Sequence, residues 1–80
     1  MSHVPHELTE EFPDQAQTIT RLKAEAPHFA KLAERYHVLN REIHRAETNV
    51  EPCSDVHMLE LRRQRLTLKD EIAAILRDAA

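Results

Sequence analysis

His37, Asn40, His44 and Glu47 recur at steps of three and four in RYHVLNREIHRAE, so a helix would carry them along one stripe. Imidazole and carboxylate are zinc ligands by type. The spacing argues against that use, because His37 and His44 lie seven residues apart, about 10 Å along a helix axis. Helical metal pairs stand four residues apart. A structural polar stripe is therefore expected, with no metal and no other cofactor. The amino-terminal MSH could hold Cu(II) through a free amine and a third-position histidine. Removal of the initiator methionine ahead of a serine would shift His3 to second place and break that site.

The other chemistry-bearing side chains are a thiol and a group of arginines. Cys53 is the single cysteine, and its place beside a helix start could lower its pKa. No base and orienting group accompany it, so an incidental surface thiol is expected and the chain is read as no enzyme. Arg41, Arg45, Arg62 and Arg63, with Arg65 nearby, suggest a phosphate-binding band. Glu42, Glu47 and Glu60 interrupt it, and no aromatic residue falls there to stack on bases. A solvated face with ion pairs is the preferred reading, and a small nucleic-acid-associated protein the alternative.

These residues must be positioned by very few elements. Eighty residues make one small domain, which is marginal without a staple, a metal or a second subunit. One cysteine allows no internal disulfide. Glycine is absent, which removes the usual residue for hairpin turns and phosphate-cradling loops, so β-rich and nucleotide-binding architectures are not expected. The net charge of -3 announces neither a nucleic acid nor a membrane surface. No basic, apolar leader and no membrane-length apolar run is visible, so a soluble cytoplasmic protein without a small-molecule substrate is expected.

Periodicity supplies the elements. Pro5 suits the start of a short helical turn, Phe12 before Pro13 interrupts it, and Ile19, Leu22, Ala26 and Phe29 return to helical spacing. Pro27 should break or kink that helix. Beyond it Phe29, Leu32, Tyr36, Leu39, Ile43, Ala46 and Val50 form a heptad seam. Pro52 stops this helix, and Ser54 or Asp55 can cap the next. The second helix carries Met58, Leu61, Arg65, Leu68, Ile72, Ile75 and Ala79, flanked by Leu59, Leu66, Ala73 and Leu76.

The expected fold is all-α, an antiparallel two-helix coiled-coil hairpin over residues 27 to 80 with a short helical arm over residues 1 to 26. Folding about Pro52 pairs positions whose numbers sum to about 105, which sets Phe29 against Leu76 and Asn40 against Arg65. That polar pair is read either as a buried layer fixing register or as plain solvent exposure. Seam burial alone falls short of the cost of ordering the chain. Self-association is therefore expected, most simply as a dimer, through Leu59, Leu66 and Leu76 with Asn40 and Arg65, and a further protein partner is allowed. The arm carrying Ile19 and Leu22 could cover the same stripe instead.

The stretches SHVPHEL, EEFP, HFAKLAERYHVLNREIHRAE, VEP, SD and LRRQRLTLKDEIAAIL together resemble the YdcH-like family of small bacterial proteins, a domain of unknown function. The resemblance covers nearly the whole chain. It implies an antiparallel helical hairpin in the bacterial cytoplasm, with no established activity and no catalytic or cofactor residues to carry across. By likeness, Tyr36, His37, Asn40, Ile43, His44, Glu47, Pro52, Ser54, Asp55, Lys69, Asp70 and Glu71 occupy the family's recurring positions. Pro27 and His57 depart from the pattern. An acid at His57 would complete a capping box with Ser54, so that helix start should be slightly weaker.

Overall fold

A computed structural model of the protein describes residues 6–48 and 54–79. Pro5, the MSH terminus and the corner with Val50, Pro52 and Cys53 lie outside those residues, and so do the expectations placed on them. The described residues are mostly helical, with no strand among them: α1 (Leu8–Glu11), a 3-10 turn (Pro13–Gln15), α2 (Ala16–Glu25), α3 (Pro27–Glu47) and α4 (Asp55–Ala79).

The proline punctuation acts as expected. Phe12 leaves the helical region at φ -131 and ψ 64, and the chain restarts at Pro13. Ala26 is extended at φ -117 and ψ 100, so α2 and α3 meet at an angle. Pro27 then opens α3, where its missing N–H costs nothing. Ser54 caps α4, its Oγ accepting the His57 backbone N–H at 3.1 Å. At the far end of α3 the Thr48 hydroxyl donates to the His44 carbonyl at 2.9 Å, and Thr48 caps the helix after Glu47.

The first helical turn begins later than expected. His6 stands at φ 65, in the left-handed region, and α1 opens only at Leu8. Holding a non-glycine residue there costs about 1 kcal/mol or more. The Tyr36 hydroxyl offsets it by donating to the His6 carbonyl at 2.6 Å.

One core joins all the helices. Leu8 of α1 and Ile19 of α2 pack with Phe29, Leu32, Ala33 and Tyr36 of α3 and with Ile72 and Leu76 of α4. Phe12, Leu22, Leu68 and Ile75 line its edge. The arm thus covers the paired long helices within its own chain. Because α3 faces both α2 and α4, its buried arc is wider than a heptad seam. Ala33 and Asn40 are enclosed beside Phe29, Leu32, Tyr36 and Ile43, while Leu39 and Ala46 are only half-buried.

Burial of this kind makes a sharp prediction. Ile19→Ala and Ile72→Ala, each truncating a fully enclosed side chain, should each destabilise the fold by about 2–4 kcal/mol. Leu66→Ala, at 58% exposure, should be nearly neutral in the same urea titrations.

Candidate functional site

The expected association residues fall into three environments. Leu59 and Leu66 are 66% and 58% exposed on α4, with Val56 at 79% one turn away. Leu76 is different, and this corrects the sequence reading: it is 0% exposed and sealed in the core by the arm, so it offers no surface. The reason is that the arm covers the Leu76 end of the stripe. Asn40 and Arg65 meet within one chain, the Arg65 guanidinium donating to Asn40 Oδ1 at 2.9 Å. Of the two readings of Asn40, burial is the one observed, at 1% exposure.

The arginine band is largely engaged. Arg62 donates to Glu47 Oε2 at 2.9 Å, linking α4 to α3. Arg63 grips both oxygens of Glu60 at 3.0 and 2.7 Å. That grip, with help from Gln64, lowers the Glu60 carboxyl below its usual 4.5 and raises Arg63 in turn. Arg45 also has a partner, and Arg41 stands exposed without an ion pair among the described residues. The polar stripe is split: His37 lies 3.3 Å from Glu7 of the arm, while Glu47 is held by Arg62. Among the described residues no group of three or more His, Cys, Asp or Glu side chains is placed to hold a metal ion.

Two further sites emerge that the sequence reading did not find. The first is a polar clasp over the arm. Beside the Tyr36 bond and the Glu7 to His37 contact, Lys69 donates to Glu11 at 3.2 Å and stands 6.0 Å from the Phe12 ring centre, at the outer reach of a cation–π contact. Gln15 donates to the carbonyl of Leu76 at 3.3 Å, satisfying one of the free acceptors at the end of α4. Partial burial works to raise the Glu11 carboxyl, but hydrogen bonds from Lys69 and His6 outweigh it and leave it below 4.5. Burial, then the negative charge of Glu11, pushes Tyr36 up to about 12.

The second site is a groove of about 430 Å³ between α3 and α4, floored by Leu39 and Leu68 and rimmed by Glu34, Arg35, Val38, Glu42 and Gln64. Val38 stands 54% exposed beside it. The available signal was Val38 itself, an apolar residue next to the seam that the heptad pattern leaves without a place.

A small all-helical fold with one core and a polar clasp among its described residues defines the class. Residues 29–76 match the family described as a protein of unknown function, DUF465, and the chain belongs to that family. The chain is similar to the uncharacterized protein YdcH of Escherichia coli strain K12 and to that of Shigella flexneri. Each is 35% identical over 65 residues, spanning 81% of this chain and 88% of the relative. No solved structure gives a significant match. Among the described residues no helix is long and apolar enough to cross a membrane.

The clasp predicts two pH effects. Tyr36 keeps its proton more tightly folded than unfolded, so its contribution is complete below about pH 10 and is lost as the pH rises towards about 12. The stability advantage of the wild type over Tyr36→Phe should therefore shrink across that window. Glu11 behaves oppositely, since its folded pKa is lowered: its contribution is present above about pH 4.5 and lost below it. Glu11→Gln should remove that acid-side loss in parallel denaturant titrations.

Proposed function

We propose that this protein is a non-enzymatic interaction module of the cytoplasm that self-associates, most simply as a dimer, and from that state can engage a further protein partner. Within it we infer that α3 and α4 run antiparallel as a coiled-coil hairpin, with residues 1 to 26 as the arm. The cross-helix contacts support that direction. Arg62 reaches Glu47 and Arg65 reaches Asn40, so numbers rise along one helix as they fall along the other.

The observation that carries the functional reading is apolar surface the fold does not use. With the core already closed, Val38, Val56, Leu59 and Leu66 remain more than half exposed, and Leu59 and Leu66 stand seven residues apart on one helix. Isolated exposed residues need no explanation, but several large ones on a chain this small favour an interface.

The nucleic-acid alternative is less favoured, because Arg62 and Arg63 already spend their charge on Glu47 and Glu60. Phosphate binding would first have to displace those carboxylates.

Sedimentation velocity from micromolar to millimolar protein tests the proposal. A weight-average mass rising from one chain towards two is expected, with no retardation of RNA or DNA at low salt. A folded monomer at every concentration would refute self-association, and binding that weakens steeply with salt would favour the alternative.

A further inference from the structure

The groove between α3 and α4 is lined by a set of residues that complements itself. Arg35, Val38, Leu39 and Glu42 lie on one stripe of α3, spaced so that the midpoint between Val38 and Leu39 is also the midpoint between Arg35 and Glu42. The two outer residues carry opposite charge. Neither joins an ion pair among the described residues, and both are exposed. They cannot pair with each other, being seven residues and about 10 Å apart on one helix.

A second copy laid antiparallel across this stripe, with positions summing to 77, satisfies everything at once. Val38 of each copy meets Leu39 of the other over the floor formed with Leu68, and Arg35 of each meets Glu42 of the other. Shifting the register by one residue to a sum of 76 sets Glu34 against Glu42 and Arg35 against Arg41. A sum of 78 carries Arg35 to the buried Ile43. The opposite flank of α3, with Ala30, Ala33 and His37, is occupied by the arm. The two sides of the long helices are therefore not equivalent, and the free one has a charge pattern that a two-fold axis can use.

We propose that the chain dimerises through this α3 stripe, with a two-fold axis passing between Val38 and Leu39, each Val38 seated in the partner copy's groove and each Arg35 paired with the partner copy's Glu42. This deepens the self-association reading and rests on it: it names a second copy as the occupant and moves the contact from Leu59 and Leu66 to the other long helix. Rim charges of this kind set register and specificity more than affinity, so the pairing is best read by reversal and restoration.

Sedimentation equilibrium on four proteins tests it: wild type, Arg35→Glu, Glu42→Arg and the double variant. All substituted positions are exposed, and circular dichroism melts should confirm unchanged folding. By symmetry each single reversal converts two attractions into two repulsions, and about tenfold or more weaker dimerisation is expected. The double variant, which restores opposite charges across the axis, should return to within about twofold of the wild type. Leu59→Asp with Leu66→Asp should leave the dimer intact. Dimerisation unmoved by both single reversals but lost with the Leu59 and Leu66 changes overturns this proposal and leaves self-association standing. Single reversals that weaken the dimer without recovery in the double variant overturn the pairing, and a monomeric wild type overturns both readings.

Discussion

The contact on which the rest of the molecule depends is the meeting of Leu8 and Ile19 with Phe29, Tyr36, Ile72 and Leu76, where the arm closes over the two long helices. Two amphipathic helices of this length bury one stripe each, and with a single cysteine the chain has no internal disulfide to make up the shortfall. A third layer is needed. The arm supplies it from the same chain, which is why Leu76 is fully enclosed and why association is not required to complete the core.

That closure is specified by polar groups as well as by apolar ones. Leu8 and Ile19 could slide on a greasy surface, but the Tyr36 hydroxyl donates to one particular carbonyl, that of a left-handed His6. Lys69 and Gln15 fix the middle of the arm against α4, at Glu11 and at the 3-10 turn. Asn40 and Arg65 play the matching part between the long helices, inside an otherwise apolar seam. A buried polar pair contributes little net stability, yet leaving either partner alone is costly, so misaligned arrangements are penalised. Among the described residues no buried side-chain nitrogen or oxygen lacks a partner.

Much of this was legible in the sequence where the cause is local. Pro13 and Pro27 announced their breaks, Ser54 its cap, and Phe29, Leu32, Tyr36 and Ile43 of the seam their burial. The meeting of Asn40 with Arg65 followed from folding about a corner. What could not be read joins residues far apart through groups with no sequence signature. The partner of Tyr36 is a backbone carbonyl thirty residues away, and any residue at that position carries one. Leu76 was misplaced because its helix bears apolar residues on two sides, and periodicity does not say which side the arm will take. Val38 was passed over because a seam pattern keeps one stripe and discards its neighbours. The family match likewise falls on residues 29–76, leaving the arm outside it.

The central claim is that the arm completes its own chain's core and leaves the opposite groove for other contacts. An isotope-filtered NOE experiment on an equal mixture of labelled and unlabelled chains tests it most directly, because it reports only contacts between different copies. The account predicts that cross-peaks linking Leu8 and Ile19 to the rings of Phe29 and Tyr36 are strong in the ordinary spectrum and vanish in the filtered one. Their persistence between copies would contradict it, since the arm would then be filling a neighbour's core instead of its own.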